Sequence, residues 1–125
     1  MAVRATCHRG AVLIYKILLP LEWAQFEVDG RFDGSPFDHS SGFVHCSSRE
    51  QVAATAIRVF PHEPTLVVVA LDAALLGRHV RWEEAPDGGE FPHVYASVPL
   101  DAVVAVPHVA GAALVDDALP RAAQG

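Results

Sequence analysis

A chain of 125 residues fits one compact domain with short tails and excludes a two-domain enzyme. With 51% hydrophobic residues and a formal charge of −6, from 15 acidic against 9 basic side chains, it is folded rather than disordered and has no basic stripe for duplex nucleic acid. Cys7 and Cys46 have neither CxxC nor zinc-finger spacing, which points to a reducing, cytoplasmic setting rather than a disulfide framework.

Residues 1–11 read as an N-terminal extension. Arg4 and Arg9 precede an apolar run, as in a secretory leader, but Lys16 and Pro20 interrupt it and no small-residue cleavage pattern follows. Residues 12–19 are β-branched or large apolar apart from Lys16, so they predict a strand with one polar side chain turned to a cleft or an edge. Pro20 suits a first helical turn and Gly30 a C-cap, giving a helix over 20–29 with Leu21, Ala24 and Val28 inward and Trp23 and Phe26 on its flank. Residues 31–41 have loop composition with two aromatic anchors, and the loop is expected to drape over a site. Phe43 to Cys46 is a short strand. Ser47-Ser48-Arg49-Glu50 then reads as a capping box for a helix to about Phe60, with Val52, Ala56, Val59 and Phe60 inward.

The apolar run from Thr65 to Leu71 predicts a central strand buried on both faces. Asp72 caps a single turn ended by Gly77. Strands follow at 79–83, 91–97 and 102–106, the first two joined by the turn EAPDGG. The Ala-rich segment from His108 has little to bury, so 12–107 is expected as the single domain and 108–125 as a partly disordered tail. No apolar stretch approaches the ~20 residues of a membrane span, so no membrane partner is expected.

Two polar clusters can carry chemistry. His45 and Ser47 share one face by period two, at the end of a strand and the start of a helix, where free N–H groups favour anionic or carbonyl ligands. The plain alternative is that Ser47 is only an N-cap and His45 a core histidine. The second cluster gathers Trp82, Glu83, Glu84, Glu90, His93 and Tyr95 around one hairpin, where carboxylates beside a His can do acid–base work or form a solvated turn rim. Phe91 and Tyr95 read as core. A zinc site from His45, His93 and Glu83 lacks preorganising spacing, so no metal is expected, and a His-x-Ser phosphodiesterase lacks its second motif. Cys46 points away from His45 and reads as a buried structural thiol.

Taken together, IYKI, Trp23, GRFDGSPFD, GFVHCS followed by Gln51, RWE, and FPHVY followed by PLDAVVAV resemble the ordered motifs of the "domain of unknown function 952" family across residues 14–106. The family has no established activity and is grouped by fold with the ADP-ribosyltransferase superfamily. The resemblance implies an α+β domain in which a small, split, mixed sheet with two main helices surrounds a cleft. It also implies NAD as substrate. Tyr15-Lys16 stands where the superfamily's first strand binds the ribose, although Lys lacks the planar fork of Arg. The His45–Ser47 corner resembles the second motif, in particular its version in RNA 2′-phosphotransferases, and Glu83 or Glu90 stands for the late-strand carboxylate. The expected catalytic residues are thus His45, Ser47, Glu83 and Glu90, with Tyr15, Lys16, His93 and Tyr95 binding ligand in the same cleft. The expected function is NAD-dependent ADP-ribosyl or phosphate transfer to a small-molecule or phosphorylated acceptor, by a monomer or weak homo-oligomer. The alternative is a non-catalytic nucleotide or small-ligand binding module of the same fold.

Overall fold

The computed structural model describes residues 12–86 and 88–120, so Cys7 and the expected extension over 1–11 lie outside the described residues. In chain order the elements are β1 (Leu13–Leu18), α1 (Pro20–Asp29), β2 (Arg31–Phe32), α2 (Pro36–Ser41), β3 (Val44–His45), α3 (Val52–Val59), β4 (Leu66–Asp72), the single turn α4 (Ala73–Leu76), β5 (Val80–Glu84), β6 (Glu90–Val94), β7 (Val98–Pro99), β8 (Val103–Ala105), β9 (His108–Val109) and α5 (Val115–Ala118). They make an α+β structure with three small sheets. The first has the order β1-β4-β8, with β9 also on β4; the second is β3-β6-β5 and the third β2-β7.

Every pairing among the described strands is antiparallel, which corrects the expected mixed sheet. A parallel pair needs a crossover between neighbours in one sheet. Here α1 and α3 instead carry the chain from one sheet to another. The split itself has a seam, because Tyr15 and Ser47 exchange backbone hydrogen bonds of 2.8 Å in both directions. Beyond that bridge the first two sheets part company.

β4 is buried along its whole length, and its alternating side chains divide the core in two. Val67, Val69 and Leu71 join Ile14 and Leu18 of β1 in one cluster with Phe26, Phe32, Val44, Val94 and Val98. Leu66, Val68 and Ala70 join Tyr15 and Ile17 in the other, which is covered by Val52 and Ala56 of α3 and by Val109, Val115 and Leu119. The tail expected from His108 is therefore corrected over 108–120: burying Val115 and Leu119 contributes roughly 1.5–3 kcal/mol each. Arg49, itself buried, locks this segment down. Its guanidinium donates to the carbonyls of Asp116, Leu119 and Pro120 at 2.7–3.0 Å and to the Asp116 carboxylate at 2.8 Å.

α1 has the expected limits, closed by Gly30 at φ 75°, but the opposite face inward. Leu21 is 84% and Val28 79% exposed, while Phe26 is buried and Trp23 packs on the core. Two aromatic rings three residues apart share a face and bury more area than the Leu, Ala and Val opposite. The capping pair of α3 is also displaced by one residue: Ser48 N–H donates to Gln51 Oε1 at 2.9 Å and Gln51 N–H to Ser48 Oγ at 3.2 Å. Val59, in the last turn of α3, is half exposed rather than inward. No helix among the described residues is long and apolar enough to cross a membrane.

Candidate functional site

The loop expected over 31–41 contains β2 and α2, and α2 places the centre of the site. Ser35 accepts from Asp38 N–H at 3.2 Å while Asp38 Oδ2 accepts from Ser35 N–H at 2.9 Å, a reciprocal cap that fixes the Asp38 carboxylate. Only 2% of that side chain is exposed. Its oxygens also accept from Lys16 Nζ at 2.9 and 3.1 Å, from His45 N–H at 3.0 Å and from His45 Nδ1 at 2.7 Å. Burial pushes the carboxyl up, but the Lys16 charge and the bonds from Ser35 and His45 outweigh it and hold Asp38 at about 2. Because Asp38 is ionised, the hydrogen between it and His45 lies on Nδ1, and Nε2 is the ring nitrogen left for a ligand. Burial lowers the His45 pKa against the opposing pull of Asp38, so the neutral ring with its Nε2 lone pair is the form present at pH 7.

A second pair stands beside the first. His45 and His93 are register partners across β3 and β6, so both rings project from one face of the sheet, with centroids 5.6 Å apart. His93 Nδ1 lies 2.7 Å from Glu83 Oε1, and the same oxygen accepts from Tyr95 Oη at 2.7 Å. These two hydrogen bonds, from His93 and then Tyr95, lower the Glu83 pKa. Arg81 lies over the Tyr95 ring at 4.8 Å. Aromatic faces set the tilt of both imidazoles: Phe37 stacks on His45 at 4.4 Å, and Phe43 stacks on His93 at 4.0 Å while leaning on His45 at 4.5 Å.

Both histidines open onto a cavity of about 960 Å³, at the upper end of the range for small-ligand sites. It lies between the first two sheets, and Phe37, Val59, Phe60 and Phe91 make much of its wall apolar. Lys16 and Tyr15 also reach this wall. The Lys16 ammonium is committed to Asp38, and the Tyr15 ring is packed in the core, where burial raises its pKa. Ser47 is buried on the cavity wall, and its hydroxyl donates to Thr55 Oγ1 at 3.0 Å; it is not the N-cap. Glu83 and Tyr95 stand behind His93 rather than on the cavity wall, and Tyr95 faces a smaller groove with Asp33 and Phe43. Phe91 lines the main cavity and Tyr95 is partly exposed, which corrects their reading as core. The inward residues of β6 are Pro92 and Val94.

Glu90 is not brought to the site. It is exposed at the end of β6, and its contribution is a backbone carbonyl that accepts from Gln51 Nε2 at 2.6 Å. Cys46 is buried, and desolvation pushes its thiol up to about 12. Among the described residues no group of three or more His, Cys, Asp and Glu is arranged to hold a metal ion. Sequence reasoning missed Asp38, Phe43, Thr55 and Arg58. For Asp38 a signal was present in Ser35-Pro36-Phe37-Asp38, an N-cap serine, a proline at the first helical position and an acid at the third.

Comparison with known proteins agrees with this picture at the level of family. The family model described as "Protein of unknown function (DUF952)" matches residues 17–106. The X-ray structure of protein CC0527 from Caulobacter crescentus is similar with a TM-score of 0.74 and 38% identity, over 77% of this chain and 84% of that one. Its solution NMR structure gives a TM-score of 0.67 at 38% identity, over 78% and 83%. No curated protein matches.

Proposed function

The chain belongs to this family of unknown function, and from the geometry of its cleft we propose that it is an enzyme acting on nucleotide-sized ligands, with His45 and His93 as the acid–base pair of a phosphate transfer. The observation that carries the reading is the matched pair of imidazoles, in register on one sheet face, each with Nδ1 on a carboxylate. Both Nε2 nitrogens are then left for the ligand. Neutral His45 takes the proton from the attacking hydroxyl or water as the new P–O bond forms. His93, with Glu83 as the counter-ion of its charged form, returns a proton to the oxygen that leaves as the old P–O bond breaks.

Cleavage of NAD is supported less well. It needs a carboxylate facing the ribose as positive charge develops there. Of the two carboxylates that the resemblance offers for this role, Glu83 spends one oxygen on His93 and Tyr95 behind the cavity wall and Glu90 stands outside, while Glu84, which does reach the wall, is exposed at the end of β5. Lys16, the counterpart of the superfamily's ribose-binding residue, is held by Asp38. The ADP-ribosyltransferase-like grouping belongs to the same proposal, supported by two sheets that diverge from the Tyr15–Ser47 bridge with the cavity between them.

The test is an NMR screen of the ¹⁵N-labelled protein against NAD, ADP-ribose, nicotinamide and the 2′-, 3′- and 5′-monophosphates of adenosine, followed by phosphate-release and transfer assays with any binder. Shifts at the His45 and His93 rings with a phosphorylated nucleoside, and turnover lost in His45→Ala and His93→Ala, are the expected results. Binding without turnover would leave a ligand-binding module. Absence of shifts at both rings would remove the reading.

A further inference from the structure

The wall facing the two imidazoles has its own polarity. α3 turns Thr55, Arg58 and Val59 to the cavity, as residues three and four apart on one helix face must be. Thr55 is pinned to the Tyr15–Ser47 bridge just past β3 because Ser47 Oγ–H donates to its Oγ1 at 3.0 Å. An oxygen that accepts this proton keeps its own to donate, and Thr55 lies on the cavity wall. Ser47 follows His45 by two residues along an extended chain, which puts their Cα atoms roughly 7 Å apart. Thr55 is thus held one side chain away from the histidine pair.

Charge singles out Arg58. Three charges of the cavity wall are already engaged: Lys16 and Asp38 by each other, and Glu22 by a hydrogen bond from Leu19 N–H at 2.9 Å. Glu84 reaches the cavity from the β5–β6 hairpin. Among the described residues the Arg58 side chain makes no ion pair or hydrogen bond, although Arg is the side chain best shaped to clasp two oxygens of one phosphate.

We propose that Thr55 and Arg58 form the anion-holding wall of the cleft, gripping the phosphate on which His45 and His93 act, so that the site selects a phosphorylated nucleoside over the neutral nucleoside. This rests on the proposed phosphate-transfer reading and assigns its specificity residues. α3 supplies a fixed positive charge and a hydroxyl donor, and the sheet supplies proton transfer. The apolar wall of Phe37, Phe60 and Phe91 takes the base.

The test is calorimetric titration of adenosine monophosphate, as the isomer that binds best, and of adenosine, into wild-type protein, Arg58→Gln, Thr55→Val and Thr55→Ser. Arg58→Gln is expected to weaken the monophosphate at least tenfold and to leave adenosine unchanged. Thr55→Val is expected to weaken it several-fold and Thr55→Ser to restore it, with unfolding midpoints recorded because valine orphans the Ser47 hydroxyl. Equal losses for both ligands, or an unchanged monophosphate affinity in Arg58→Gln, overturn the assignment of this wall even when the histidine rings still respond to the ligand. If neither ring responds to any phosphorylated nucleoside, the phosphate-transfer reading fails and this assignment falls with it.

Discussion

The two imidazole–carboxylate pairs share one sheet face and one hydrogen-bond pattern, yet they are built at different depths. Asp38 is almost wholly buried, with Lys16 as its counter-ion and a capped helix turn behind it, whereas the Glu83 side chain is 37% exposed and is braced by the Tyr95 hydroxyl, whose ring lies under Arg81. The inner pair therefore joins the aim of His45 to folding: the bonds that orient the ring also satisfy a buried charge whose loss is costly. The outer pair aims His93 with groups that water can replace. One chemical motif thus has two different tolerances to change.

The largest effect is expected at the inner pair. Asp38→Asn keeps the shape of the side chain but leaves the buried Lys16 ammonium without a counter-charge, and urea unfolding should show a loss of about 3–5 kcal/mol. A loss below about 1 kcal/mol would mean that the pair is not buried as described. Adding Lys16→Met to Asp38→Asn removes the stranded charge and should recover part of that loss, roughly 1–3 kcal/mol, measured as a double-mutant cycle.

Acid should separate the pairs next. The folded pKa of Asp38, about 2, lies below the ordinary value of 3.8, so its contribution is complete above about pH 5 and is lost as the pH falls through 2. The size is about 2 kcal/mol. His45, whose pKa is lowered by burial, acts in the same direction from a higher pH: below about 6.5 the unfolded chain takes up the proton first, and stability begins to fall. Stability measured from pH 7 to 2 should decline in these two stages, and Asp38→Asn should shrink the second to the part left by the lowered carboxylates Asp33 and Glu83. The smallest effect belongs to the outer pair. Glu83→Gln should leave the urea midpoint within error while lowering the proposed phosphate-transfer turnover, because the group is partly exposed but orients His93; a large stability loss would erase the contrast between the two pairs.

Much of the frame is legible in the sequence, because strong local signals and tertiary packing agree there. The apolar run in β4 and the Pro20 and Gly30 limits of α1 follow from residue type and spacing, whereas the register that sets His45 beside His93 is a tertiary pairing that spacing alone does not show. The errors arise where packing overrides local preference. Trp23 and Phe26 win the inner face of α1 through area, and the polar-looking segment 31–41 folds into a capped turn because Asp38 has partners 22 residues before it and seven after it in sequence. The segment from His108 is packed for a similar reason. Its Ala-rich composition gives no sign of Arg49, whose guanidinium reaches across about 70 residues to hold it.

The central claim is that both histidines carry hydrogen on Nδ1 and present Nε2 to the cleft. Long-range ¹H–¹⁵N correlation of the histidine rings tests it directly, at a pH where the rings are neutral. The account predicts a protonated Nδ1 and a bare Nε2 for both His45 and His93, with both Nε2 resonances moving when adenosine monophosphate is added. A protonated Nε2 in either ring, or a ligand that moves one ring and leaves the other untouched, would contradict it.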